Sequence, residues 1–154
     1  MNKITNYILL FFLFFLSSCA YEPILNNKNY QFSINLHEIN GDQKINTIII
    51  SKFNNLKGNE KIYDLTLTSN KEKSIISKDT KGDPSVFQLL INVSYSVKKD
   101  GKTIIEKEIN RRTTYNNITD KFELENYEKN IVNNLSNNIS DIIITSISEN
   151  MNDN

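Results

Sequence analysis

The chain has 154 residues, with 18 Lys+Arg against 18 Asp+Glu, one His, one Cys and no Trp. That length is one domain's worth, and the balanced charge leaves no strong field of one sign to hold nucleic acid. A single thiol excludes an intramolecular disulfide, and the absence of a Cys/His cluster excludes a zinc site.

The first nineteen residues read as an export signal. Lys3 supplies a short basic region, and Ile8 to Leu16 is an unbroken apolar run. The run is too short to span a bilayer, which takes about 20 apolar residues. Leu16-Ser17-Ser18-Cys19 follows, with small residues that admit a peptidase directly before the thiol. This segment resembles the lipobox of bacterial lipoproteins, which implies a signal peptide over residues 1–18 and lipidation of Cys19. Each buried methylene of such a lipid is worth about 0.8 kcal/mol, so two or three acyl chains hold a protein stably at a bilayer. The same resemblance implies passage to the outer membrane, because Ala20 stands where Asp retains such lipoproteins at the inner membrane. Without Lys3 the mature chain carries 17 Lys+Arg against 18 Asp+Glu.

Residues 19–29, with Pro23 and an Asn/Lys cluster, form a tether of about ten residues that could reach roughly 35 Å. Residues 30–149 form the domain. Tyr30, Phe32, Ile34 and Leu36 alternate with polar residues and predict a strand with one buried face. Gly41-Asp42 breaks it. Ile45, Ile48, Ile49, Phe53 and Leu56 recur at helical spacing and predict an amphipathic helix from Asp42 to Leu56, closed by Gly58. The β-branched run Thr47–Ile50 keeps a strand open as the alternative there.

Tyr63, Leu65 and Leu67 alternate again, in a strand that continues after a bulge through Ile75–Ser77. Gly82-Asp83-Pro84 is a turn. Phe87, Leu89, Ile91, Val93, Tyr95 and Val97 give the cleanest period-two pattern in the chain, with Leu90 the exception. Asp100-Gly101 is a hairpin tip, and Lys102–Tyr115 is its return strand. Asp120 and Glu123 make a capping box. Leu124, Tyr127, Ile131, Leu135, Ile139, Ile142 and Ile147 then trace a helix to Glu149, on the order of 40 Å long. Residues 150–154 are expected to fray. The expected fold is α+β: a two-layer sandwich in the order β-α-β-β-β-α, with a four-stranded mixed sheet and two helices packed on one face.

Catalytic signals are sparse. His37 sits on a polar strand face with no nucleophile or orienting partner in a motif. The carboxylates lack paired or calcium-loop spacing, and the four glycines mark turns rather than a phosphate loop. No enzyme activity and no cofactor are expected. The candidate binding residues are cations near strand ends and loops: Lys78 and Lys81 before the Gly82 turn, Lys98, Lys99 and Lys102 around the hairpin tip, Arg111 and Arg112 on opposite faces of the return strand, and Lys121 before the last helix. Such groups suit an anionic ligand such as a phosphorylated glycolipid.

Several features together resemble a known family. They are the order of elements, the lipobox followed by Tyr21-Glu22-Pro23, the Tyr63-Asp64-Leu65 strand and the stretch Arg111-Arg112-Thr113-Thr114-Tyr115-Asn116. They resemble the LptE-type LPS-assembly lipoproteins, most closely their alphaproteobacterial branch. Thr114 stands where Ser is typical, and the final helix is Asn/Ile-rich where the family's is Ala-rich. The resemblance implies an outer-membrane lipoprotein, facing the periplasm, that binds and plugs an LptD-type β-barrel translocon. It also implies lipopolysaccharide as the ligand of Lys78, Lys81, Arg111, Arg112 and Lys121. A lipoprotein subunit of another lipid-transport or secretion complex is the alternative.

Overall fold

A computed structural model describes residues 32–54, 56 and 61–152. The signal peptide, Cys19, the tether, Tyr30, Gly58 and residues 153–154 lie outside the described residues. The elements are β1 (Phe32–Gly41), α1 (Gln43–Phe53), β2 (Lys61–Lys78), β3 (Pro84–Lys99), β4 (Lys102–Asn116) and α2 (Lys121–Asn152). The four strands lie in the order β1-β2-β3-β4. β1 pairs parallel to β2 across the helical crossover, and the other two pairings are antiparallel. The expected α+β sandwich and its order of elements are therefore observed. The segment Thr47–Ile50 lies in helix.

Period-two alternation sets the two faces of the sheet. Tyr63, Leu65, Leu67, Leu89, Ile91, Val93, Tyr95, Val97, Ile105, Ile109 and Tyr115 point to the helix side and are buried. Ile45 and Ile49 of α1 and Ile139, Ile143 and Ile147 of α2 are fully enclosed against them. Each such side chain contributes about 1.5–3 kcal/mol on burial. α1 lies over β1 and β2, α2 lies over β3 and β4, and the helices pack on each other. The Lys52–Asp141 ion pair between the helices has both partners 31% exposed, so it adds at most about 1 kcal/mol. At the hairpin tip Asp100 and Gly101 both have positive φ, the type I′ geometry that matches the twist of the flanking strands.

The last helix follows the expected stripe at Ile139 and Ile147, which are buried, and at Leu124, Ile131, Leu135 and Ile142, which pack partly buried against the core, but departs from it elsewhere. Tyr127 is 47% exposed, while Val132, Ser136, Ser140, Ile143 and Ile144 are buried. The buried line runs through positions 132, 136, 139, 143 and 147, one place along from the apolar line at positions 127, 131 and 135. Ser136 is the one serine on that line, and a hydrophobic stripe passes over serines. Ser140 resolves its polarity internally, its hydroxyl donating to the Ser136 carbonyl at 2.8 Å. The helix also runs to Asn152, beyond the expected end at Glu149.

The crossover from β1 into α1 is a tight polar corner. The Asp42 carboxylate caps α1, accepting from the backbone N–H groups of Lys44 and Ile45 at 3.0 and 3.1 Å. Partial burial raises the pKa of this carboxyl, but the Ile45 N–H, the Lys71 ammonium and the Lys44 N–H outweigh that and hold it below the usual range. Its stabilisation is present above the ordinary carboxylate range and is lost as pH falls through the lowered pKa. Beneath the cap, Asn46 is buried. Its amide donates to the Asn40 carbonyl at 3.0 Å and accepts from the Ser69 hydroxyl at 2.7 Å. Gly41, at φ +95°, presses on this site, and a Cβ there would meet the Ser69 carbonyl oxygen at 1.8 Å. Gly82 has a similar φ of +90° but open space around it. Gly41→Ala is expected to cost more than about 2 kcal/mol, and Gly82→Ala only the backbone strain of about 1 kcal/mol. Urea denaturation of the two variants checks this, and equal losses would contradict the corner's role.

Candidate functional site

The face of the sheet away from the helices is open, and its side chains line up in rows across the strands. Pairing sets Thr66 beside Ser96 and Glu106, Thr68 beside Ser94 and Glu108, and Asn70 beside Asn92 and Asn110. Glu72, Leu90 and Arg112 form the next row, followed by Ser74, Gln88 and Thr114. The middle strand carries no charged residue from Pro84 to Val97. Here hydroxyl and amide groups dominate, and the charges stand on the flanking strands. A shallow depression of about 390 Å³ lies among Thr66, Thr68, Ser94, Ser96, Glu106 and Glu108.

The expected cations separate into distinct places. Lys78 and Lys81 are exposed at the β2–β3 turn, and Lys121 is exposed at the start of α2. Asn117 ties these segments together: its side-chain amide donates to the Pro84 carbonyl and its backbone N–H to the Ser85 carbonyl, both at 2.8 Å. The three lysines therefore share one end of the molecule. They share it with Asp79, Asp83, Asp120 and Glu123. Asp79 organises the turn, accepting from the backbone N–H groups of Lys81 and Asp83. Asp120 caps α2 by accepting from the N–H groups of Phe122 and Glu123, the first half of the expected capping box.

Arg111 and Arg112 do point to opposite faces. Arg111 turns toward α2, where its Nε donates to Asn138 Oδ1 at 2.8 Å and one Nη donates to the Asn110 carbonyl at 2.9 Å. The Asn138 bond fastens β4 to the helix layer, and the Asn110 bond, within β4, orients the guanidinium. Arg112 is exposed on the open face, in the row with Glu72 and Leu90. His37 is exposed where β1 shifts register against β2. Among the described residues no group of three or more His, Cys, Asp or Glu side chains could hold a metal ion, and no helix is long and apolar enough to cross a membrane.

Two clusters escape a linear reading. The first is aromatic. The Phe87, Tyr115 and Tyr127 rings succeed one another at 5.7 and 5.9 Å between centroids. The Lys73 ammonium sits 4.2 Å above the Phe87 ring and pairs with Glu128, which also accepts from the Tyr115 hydroxyl at 2.8 Å. Phe122, Ile75 and Ile76 are exposed at this same end. The second cluster lies at the opposite end, where Lys61, Tyr63, Lys99, Asp100, Lys102 and Asn150 line a recess of about 420 Å³. Only strand pairing and the end of α2 bring Lys61 to the hairpin tip, so no local motif marks either group.

Burial raises the Tyr115 pKa, and the hydrogen bond and negative charge of Glu128 raise it further. Burial also raises the Tyr63 and Tyr95 pKa values. The Tyr95 hydroxyl is buried beside Ser146 without reaching good hydrogen-bond geometry. A phenol with a raised folded-state pKa stabilises the fold fully below the unfolded pKa of about 10, and that contribution is lost as pH rises. Tyr115→Phe is expected to cost about 1–2 kcal/mol at neutral pH and to flatten the loss of stability above about pH 10. Urea denaturation across the alkaline range measures both. An unchanged alkaline slope would contradict the coupling to Glu128.

No protein-family model matches the chain, and no curated protein matches it. Solved structures do share its fold. The rare lipoprotein B from Shewanella oneidensis superposes with a TM-score of 0.59 at 16% identity, over 77% of this chain and 98% of its own. The uncharacterized lipoprotein B from Nitrosomonas europaea gives 0.52 at 13% identity, over 79% of this chain and 88% of its own. A putative lipoprotein from Caulobacter crescentus gives 0.51 at 9% identity, over 78% and 89%.

Proposed function

We propose that this chain is an outer-membrane lipoprotein, anchored through Cys19, whose domain docks in and plugs an LptD-type β-barrel translocon and aids the passage of lipopolysaccharide. The observation that carries the reading is the open sheet face. It stays polar along the strands, yet its middle strand is free of charge from Pro84 to Val97. The lumen of an outer-membrane barrel is itself polar. The hydroxyl and amide groups of that strand can exchange hydrogen bonds with such a wall, while Glu72, Glu106, Glu108 and Arg112 on the flanking strands require polar partners on it, because burying an unpaired charge costs far more than burying a hydrogen-bonded polar group. The lipobox residues Leu16-Ser17-Ser18-Cys19 supply the attachment. A fold shared with solved bacterial lipoproteins is consistent with it.

Lys78, Lys81 and Lys121 provide cations beside the exposed Ile75, Ile76 and Phe122. A cation next to apolar surface suits a phosphorylated amphiphile, whose two parts need both. Arg112 adds a cation on the open face. Arg111, bonded to Asn138, serves by holding β4 to α2. The domain needs no catalytic chemistry for this role.

Affinity purification of the tagged protein from detergent-solubilised outer membrane tests the proposal. A large β-barrel protein carrying lipopolysaccharide should co-purify. Changing Lys78, Lys81 and Lys121 together to Ala should lower the retained lipopolysaccharide severalfold and leave the barrel bound. Recovery of periplasmic or inner-membrane transport components without a barrel would favour a different lipid-transport or secretion complex and overturn the plug.

A further inference from the structure

The two ends of the domain differ in how the chain enters them. Phe32, the first residue of β1, pairs with Lys61, and Lys61 shares its recess with the β3–β4 hairpin tip and with Asn150 near the end of α2. The segment joining the domain to Cys19 therefore enters at the hairpin-tip end. Twelve residues, 20–31, lie between Cys19 and Phe32. Fully extended, the path from Cys19 to Phe32 reaches about 43–47 Å. The 32 residues of α2 span about 48 Å. At full stretch the tether only about matches the length of the domain, so a domain standing on its far end would stay attached to a lipid in the same leaflet only with every tether residue extended, at a large cost in chain entropy.

Charge points the same way. Among the described residues, Lys61, Lys98, Lys99 and Lys102 stand at the tether end, with Asp64, Asp100 and Glu149 as the acids near them. Asp64 accepts from the Asn35 amide at 2.7 Å. At the far end Lys78, Lys81 and Lys121 are outnumbered by Asp79, Asp83, Asp120 and Glu123. Lysines close to an anionic bilayer surface are attracted to it, an effect that fades within a Debye length. Exposed Ile62, beside Lys61, adds apolar surface that can settle among head groups.

We infer that the tether end is a bilayer-contact surface, with Lys61, Lys98, Lys99 and Lys102 set against phosphates of anionic phospholipids in the leaflet that holds the Cys19 lipid. The inference rests on the anchored reading above. It fixes the orientation of the domain, with the β2–β3 turn and the start of α2 pointing away from that leaflet.

The native sequence has a single cysteine. If its sulfur carries lipid, an introduced cysteine is the one free thiol, and each end can be labelled separately. Thr103→Cys marks the tether end and Thr80→Cys the far end, both at exposed positions. The mature acylated protein, labelled with a fluorophore, is reconstituted into vesicles with head-group quenchers, made of phosphatidylglycerol or of phosphatidylcholine. The Thr103 label should be quenched severalfold more than the Thr80 label, and more strongly with phosphatidylglycerol. Lys61, Lys98, Lys99 and Lys102 changed together to Gln should remove the lipid dependence, while Lys81→Gln should leave it intact. Equal quenching of both labels would mean the domain lies flat, and equal quenching in both lipids would remove the role of the lysines. Either result, with Cys19 shown by mass spectrometry to be acylated, overturns this inference alone. An unacylated Cys19 overturns the anchored reading and this one together.

Discussion

At the end of β1 the backbone of Gly41 comes so close to Ser69 of β2 that no side chain fits between them. The topology turns on this contact. Asp42 donates its backbone N–H to the Ser69 carbonyl at 3.1 Å while its carboxylate starts α1, so one residue pair ends a strand, begins a helix and fixes both to β2. Buried Asn46 and Ser69 complete the corner by bonding each other. A buried polar pair of this kind adds little net energy when satisfied and costs much when broken. Its effect is to allow one register only. With β1 held parallel to β2, the helix side of the sheet is the side that α1 covers, and the other side is left open.

The consequences reach the surfaces proposed for function. Because both helices lie on one face, the rows of the other face form a largely polar plane, interrupted at Leu90. The parallel β1 also brings the chain in at the hairpin-tip end. The proposed anchor, the cations of that end and the polar plane are then related by one long axis. Insertion into a barrel from the periplasmic side would lead with the β2–β3 turn, keep the polar plane along the wall and leave Lys61, Lys98, Lys99 and Lys102 at the level of the head groups.

Much of this fold was legible in the order of residues. The unbroken alternation from Phe87 to Val97 and the Asp100-Gly101 turn specify a hairpin on local grounds, because period two and positive φ have few other uses. The Ile45, Ile49 and Phe53 spacing overrode the β-branched run at Thr47–Ile50, since the buried stripe outweighs intrinsic propensity. The path of α2 was less legible. Its buried face runs through Ser136 and Ser140, and small hydroxyl residues carry no signal in a hydrophobic pattern although they pack well. The candidate cations were visible one by one, but their grouping was not. Lys78, Lys81 and Lys121 are joined through Asn117, and Lys61 reaches the hairpin tip through strand pairing. Alternation puts Arg111 and Arg112 on opposite faces, but the fastening partner of Arg111, Asn138 across the layer, carries no signal in the sequence.

The central claim is that the open sheet face meets a barrel wall, and photo-crosslinking in intact cells tests it most directly. A photoreactive residue placed at Ser94 or Gln88 on the open face should crosslink to an outer-membrane β-barrel protein, and one placed at exposed Asn134 on α2 should do so less. Crosslinks from Ser94 and Gln88 only to periplasmic proteins, or none at all while Asn134 captures the barrel, would contradict the account.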